Sequence, residues 1–235
     1  DGGTATDITP GDFDSPPYAA STGVDYAFSP DSREIAFLKN PDKIEAVSTN
    51  SDIVVMTLAD KRQRNITATN RGYDASPVYT RDGRYIVYRS QAREGFEADR
   101  WRLMRHDRSS GQTVELTQGF DQQVDEFVVS EDSRMIYFTA GTRGRSPIYS
   151  VPVEPDFRLR LATHVKRITT GVEGGIVAGG LNLAKGGRTI VFLNSSMKNP
   201  AEVMRIGTDG AGLTALTMVN ADMMNPFRLN GAEEV

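Results

Sequence analysis

The side chains of this sequence that could do chemistry are few, and what they lack is informative. A nucleophilic serine on an α/β sheet needs a Gly-x-Ser-x-Gly elbow between a strand and a helix, and no such pentapeptide occurs in the 235 residues. There are two histidines. His106, in Met104-Arg105-His106-Asp107, is expected at a solvent-exposed strand end, and His164 in a polar stretch ahead of Val165-Lys166-Arg167. Neither has a second histidine or a carboxylate at metal-ligand spacing, so no zinc site is expected. The lack of cysteine removes disulfides and thiolate ligands. Gly171 to Gly180 flank strand-like sequence instead of opening a helix, so they read as turns and a bulge and not as a phosphate loop. What remains is carboxylate chemistry. Glu45 and Glu97 each precede a strand in adjacent repeats, with Asp52 and Asp99 close behind them. In a partly desolvated rim such carboxylates can hold a cation by charge-assisted hydrogen bonds. The simpler reading is that they cap turns, or pair with Arg93 and Arg100 to fix the loops. No catalytic residue, metal ligand or cofactor is assigned.

These carboxylates hang on a unit that returns four times, roughly every fifty residues, a period that with strand patterning points to β-propeller blades. Its turn reads Phe28-Ser29-Pro30-Asp31-Ser32, Tyr79-Thr80-Arg81-Asp82-Gly83, Val129-Ser130-Glu131-Asp132-Ser133 and, degraded, Leu183-Ala184-Lys185-Gly186-Gly187. An Asp or Ser side chain can hold backbone N–H groups there, and Gly relieves a positive φ. An isoleucine follows each turn, as Ile35, Ile86, Ile136 and Ile190, and two further on stands an aromatic, as Phe37, Tyr88, Phe138 and Phe192. A spacing of two puts each pair on one strand face, as core. Third strands are expected at 53–56, 101–104, 148–151 and 203–206. Fourth strands are expected to close on Ile66-Thr67, Leu116-Thr117, Ile168-Thr169 and Leu216-Thr217. The same ending at Ile8-Thr9 implies a partial blade at the start. The expected architecture is all-β, about four propeller blades plus that partial one, with repeats at about 25–67, 74–117, 125–169 and 176–217. The long loops, from Lys39 to Ser51, Ser90 to Asp99, Ala140 to Ser146 and Asn194 to Ala201, join second to third strands. In a propeller they emerge on one face, where a ligand is first sought. Trp101, the single tryptophan, reads as inter-blade core.

Composition agrees: 38% hydrophobic and 25% charged residues suit a folded all-β unit, and no apolar run is long enough to span a bilayer. A net charge of −4 with dispersed Lys and Arg gives no electrostatic reason to expect nucleic acid.

Several stretches carry a family likeness. Asp25-Tyr26-Ala27-Phe28-Ser29-Pro30-Asp31, Glu45-Ala46-Val47-Ser48-Thr49-Asn50-Ser51-Asp52-Ile53, Gly95-Phe96-Glu97-Ala98-Asp99-Arg100-Trp101 and Leu116-Thr117-Gln118-Gly119-Phe120-Asp121 resemble the non-catalytic propeller of bacterial dipeptidyl aminopeptidase or acylaminoacyl-peptidase-like enzymes. These belong to the prolyl oligopeptidase family of serine peptidases. The resemblance implies the second half of a seven- or eight-bladed propeller, with an α/β-hydrolase domain expected downstream in the same polypeptide. It implies a domain that gates and positions short peptide substrates, with Glu45, Glu97, Asp52 and Asp99 as candidates to hold a free α-amine. It also implies a periplasmic or secreted location, with the cytoplasm as the alternative. The rival reading is a self-standing protein-binding propeller of the Tol-system type. A piece with open strand edges is expected to self-associate.

Overall fold

A computed structural model describes residues 2–11, 15, 26–44, 47–169 and 177–230. The chain divides into two compact units, 1–115 and 116–235. Each unit holds two four-stranded antiparallel sheets whose strands neighbour one another in chain order. In the first unit one sheet is β1 (Tyr26–Phe28), β2 (Glu34–Lys39), β3 (Asp52–Thr57) and β4 (Gln63–Asn65). The other is β5 (Asp74–Tyr79), β6 (Tyr85–Ser90), β7 (Arg102–Asp107) and β8 (Thr113–Glu115). The second unit repeats the plan with β9 (Val124–Val129), β10 (Met135–Ala140), β11 (Ile148–Pro152) and β12 (Lys166–Arg167). Its other sheet is β13 (Val177–Leu183), β14 (Thr189–Ser195), β15 (Glu202–Gly207) and β16 (Thr214–Ala215). Among the described residues the helical elements include a 3₁₀ turn at Leu161–His164 and a one-turn α-helix, α1 (Ala221–Met224). Four sheets built as meanders are the blades of a β-propeller fold.

The turn chemistry explains why the first two strands of each sheet fold back in register. Ser29 Oγ accepts from the N–H groups of Glu34 at 2.9 Å and Arg33 at 3.2 Å while donating to Asp31 Oδ1 at 2.6 Å. Thr80 with Asp82 and Ser130 with Asp132 make the same lock. The next residue must enter the left-handed region: Gly83 does so at φ 71°, whereas Ser32 and Ser133 carry a side chain there at 56° and 60°. In the last sheet Ala184 has no hydroxyl and Gly186 no carboxylate. That turn closes on itself through backbone bonds, Ala184 N–H to Thr189 O and Gly187 N–H to Ala184 O, both at 2.9 Å.

The four Ile and aromatic pairs are buried, from 7% exposed at Ile35 to 0% at Ile136 and Phe138. Within each unit the packing follows one rule. Ala36, Leu38, Ile53 and Val55 of the first sheet meet Ala75, Tyr79, Ile86 and Tyr88 of the second. In the second unit Tyr137 and Ile148 meet Ile190 and Phe192. Hence the Ile–aromatic face of the second sheet packs on its predecessor, and the intervening residues of the first sheet pack forward. The Ile35–Phe37 face of the first sheet is met by Val54, Met56, Leu58 and Ile8. Tyr26 and Phe28, opposite Phe37 and Ile35 in register, remain 55% and 54% exposed.

Two expectations change. The Ile-Thr and Leu-Thr endings lie just past the fourth strands, because their hydroxyls serve the third: Thr67, Thr169 and Thr217 accept from Ile53, Ile148 and Val203 N–H at 2.9, 3.1 and 2.9 Å. His106 is not at an exposed strand end. It lies within β7, 3% exposed, because it pairs with the core residue Ile86.

Candidate functional site

The loops between second and third strands of the first unit are tied to each other, partly through the β4–β5 connection that carries Arg71. Arg71 bridges the two, 3.2 Å from Asp42 Oδ1 and 3.2 Å from Glu94 Oε1. Gly95 N–H donates to Thr49 Oγ1 at 2.8 Å. Asp42 in turn accepts from Ser48 Oγ at 2.6 Å and Asn50 Nδ2 at 3.4 Å. The bond from Ser48, opposed by burial and reinforced by Asn50 and Arg71, holds its carboxyl below the usual range.

The 91–101 loop is built around two buried polar residues. Gln91 Nε2 donates to the carbonyls of Glu97 at 2.8 Å and Asp99 at 2.7 Å. Asp99 accepts from the N–H groups of Ala92 at 2.8 Å and Arg93 at 2.9 Å, and from Arg93 Nε at 3.3 Å. Burial alone would raise the Asp99 pKa, but these bonds outweigh it and hold the carboxyl below its ordinary value. Arg93 also lies 4.3 Å from the Phe96 ring centroid.

Of the four expected carboxylates, Glu45 lies outside the described residues. Glu97 is exposed, with its carbonyl held by Gln91. Asp99 is buried and used by its own loop; Arg100 pairs with Glu115 at 3.1 Å. Asp52 is buried at the start of β3, where Oδ2 accepts from Asn65 Nδ2 at 2.6 Å and Oδ1 has no partner among the described residues. Burial pushes its carboxyl up.

Asp52 belongs to a cluster that the sequence alone did not reveal. A parallel bridge pairs Ser51 with Tyr73, and Asp74 N–H donates to Ser51 O at 2.9 Å. One residue on from that bridge, Asp52 and Asp74 stand side by side. Asp74 is fully buried; Oδ1 accepts from Asn70 Nδ2 at 3.0 Å, and Oδ2 is unpartnered among the described residues. Burial pushes its carboxyl up to about 7, against the pull of Ser90, Asn70 and Thr67 and with a push from Asp52. Trp101 packs on the adjacent core, edge to face with Tyr73 at 5.7 Å.

The histidines make no site. His106 Nδ1 meets Thr113 Oγ1 at 3.0 Å, and burial, then Arg64, lowers its pKa. His164 Nε2 meets Asp156 O at 3.2 Å. No group of three or more His, Cys, Asp or Glu among the described residues is arranged to hold a metal. No helix among them is long and apolar enough to cross a membrane.

No family model matches the chain. It is 32% identical over 210 residues to dipeptidyl-peptidase 5 of Porphyromonas endodontalis, a match covering 88% of this chain and 29% of that protein. It is 32% identical over 154 residues to dipeptidyl-peptidase 5 of Porphyromonas gingivalis, covering 64% and 22%. The chain thus spans less than a third of the length of these relatives. Among solved structures, an acylaminoacyl peptidase from Pyrococcus horikoshii superposes with a TM-score of 0.62 at 16% identity, covering 84% of this chain and 28% of that one. A putative TolB from Agrobacterium tumefaciens superposes at 0.60 with 22% identity, covering 82% and 64%. Those two likenesses speak to the fold alone, whereas the first sequence match covers most of the chain. On that combination the chain is a β-propeller segment that belongs to the dipeptidyl aminopeptidase and acylaminoacyl-peptidase-like proteins of the prolyl oligopeptidase family.

Proposed function

We propose that this chain gates and positions substrate for a serine exopeptidase, of dipeptidyl or acylaminoacyl type, and is not catalytic alone. The observation that carries the reading is the 32% identity to a dipeptidyl peptidase over 88% of the chain. Its partners are then an α/β-hydrolase domain of the same polypeptide and short peptides. Within the first unit the 91–101 loop is the natural substrate contact, since Gln91 and Asp99 hold it rigid from beneath and leave the Glu97 carboxylate in solvent. Glu97 would accept from a free α-amine, with Asp99 acting as the positioning residue. Asp52 is too deeply buried to reach a substrate without rearrangement of the strand it starts.

The test is chromophore release from dipeptidyl and N-acylated aminoacyl substrates by the full-length polypeptide and by this chain alone. Activity is expected in the full-length polypeptide only. There Glu97→Gln is expected to raise KM about tenfold for free-amine substrates and to leave acylated ones unchanged. Activity in neither sample would favour the protein-docking role of a TolB-type propeller, which at present is supported by fold alone.

A further inference from the structure

The β9–β10 and β13–β14 turns of the second unit border a cavity of about 430 Å³. It lies at the end of the strands away from the long loops. Its origin can be read from the repeat, because the first unit fills the corresponding place with its own Arg108. There Arg108 Nη2 donates to Glu34 Oε2 at 2.7 Å and Nη1 to the Gly83 carbonyl, with the guanidinium 5.1 Å from the Tyr79 ring centroid. Thr208 is the counterpart of Arg108. Both follow the third strand of their sheet, and both donate their backbone N–H to the residue after the turn, Arg108 to Arg84 O at 3.1 Å and Thr208 to Arg188 O at 3.0 Å. The space confirms the exchange. A Cβ added to Gly83 would stand 3.4 Å from Arg108 Nη1, whereas one added to the counterpart Gly187 would meet nothing within 4 Å.

The groups that recognise the guanidinium persist at exchanged positions. Glu34 is replaced by Met135, but Glu131, where the first unit has Pro30, brings a carboxylate across to Gly186 N–H at 3.4 Å. Tyr79 is replaced by Leu183, but Tyr137, where the first unit has Ala36, brings an aromatic residue to the lining. Gly187, the counterpart of Gly83, borders the cavity. Arg188 also borders the cavity. Its counterpart Arg84, 4.9 Å from the Tyr85 ring centroid, coexists with Arg108, so a second guanidinium fits this arrangement.

We propose that this cavity binds a guanidinium group from outside, an arginine side chain carried by a partner polypeptide, in the place that Arg108 occupies in the first unit. Carboxylate and carbonyl accept its N–H groups, and the Tyr137 ring offers a face or edge to its plane. The inference is independent of the peptidase reading.

The test is an NMR titration of this chain with N-acetyl-arginine amide, following the amides of Gly186, Gly187 and Thr208. Saturable shifts are expected there. N-acetyl-lysine amide, lacking the planar fork, is expected to bind about tenfold more weakly, as is the arginine probe to Glu131→Gln. Thr208→Arg supplies its own guanidinium and is expected to abolish the titration while raising the unfolding midpoint. Absence of shifts at these amides, equal binding of the lysine probe, or undiminished binding to a folded Thr208→Arg protein each overturns the proposal. Glu131→Gln keeps the test open should Thr208→Arg fail to fold, since undiminished binding there overturns it as well.

Discussion

Replacing Asp74 by asparagine tests whether the buried carboxylate beside Asp52 is held as the acid. Its pKa stands at about 7 in the folded chain against an ordinary value of 3.8, so the native state keeps a proton that the unfolded chain releases. The stability this proton confers is fully present below about 3.8, declines as pH rises toward 7, and is gone above it. The gap is about three units, and at ~1.4 kcal/mol per unit it amounts to about 4 kcal/mol between pH 4 and pH 8. Asp74→Asn keeps an oxygen to accept from Asn70 and removes the titration. Relative to the parent chain it is therefore expected to gain up to about 4 kcal/mol at pH 8 and close to nothing at pH 4. The assay is urea unfolding followed by Trp101 fluorescence across that range. Trp101 is the only tryptophan and packs on the core of the same unit, so it reports local loss of structure. The difference between the two proteins is the quantity to read, because carboxylates with lowered pKa, such as Asp107 at about 2, add a slope of their own at acid pH. A constant difference from pH 4 to pH 8 would refute the reasoning. It would mean that Thr67, Ser90 and Asn70 hold Asp74 as the carboxylate and that burial does not prevail.

Asp99→Asn removes charge from the acceptor that gathers Ala92, Arg93 and the Arg93 guanidinium, so faster amide exchange and proteolytic nicking are expected between residues 92 and 98, with Trp101 unfolding shifted by about 1–3 kcal/mol at most. Phe192→Ala empties a site 1% exposed in the core between the two sheets of the second unit, and a loss of about 3–5 kcal/mol is expected in chemical unfolding followed by circular dichroism. Tyr26 and Phe28 present an apolar face more than half exposed, and the chain is expected to self-associate at high concentration; Tyr26→Ser with Phe28→Ser should lower the mass seen by light scattering, and an unchanged monomer in both proteins would count against it.

Much of the fold is legible because the turn and the strand after it obey local chemistry. Ser29, Thr80 and Ser130 bind N–H groups four or five residues away, and isoleucine and aromatic alternate on one face with a period that cannot slip without exposing both. The candidate site is less legible because its contacts are distant in sequence. Asp52 reads as a rim carboxylate beside Asn50 and Ser51, yet a bridge to Tyr73, more than twenty residues on, buries it. His106 reads as an exposed strand end because it follows the third strand expected at 101–104; the pairing of β7 with β6 extends that strand to Asp107 and decides otherwise. Arg71 gives no local sign that it holds Asp42 and Glu94 together.

The last sheet shows which parts of the repeat the fold requires. It has lost the hydroxyl and the carboxylate of the turn, worth on the order of 1 kcal/mol each elsewhere, and still forms the same hairpin with the same backbone bonds. What it has not lost is Ile190 and Phe192, buried to 0% and 1%. Packing of the apolar stripe therefore sets the blade, and the side chains at the strand ends are free to vary at small cost. Arg108 and Thr208 illustrate that freedom: nearly identical backbone bonds carry a plug in one unit and leave a cavity in the other. The positions where the repeats differ from one another are then the ones most able to acquire a ligand, and the shared positions are the ones whose loss unfolds the sheet.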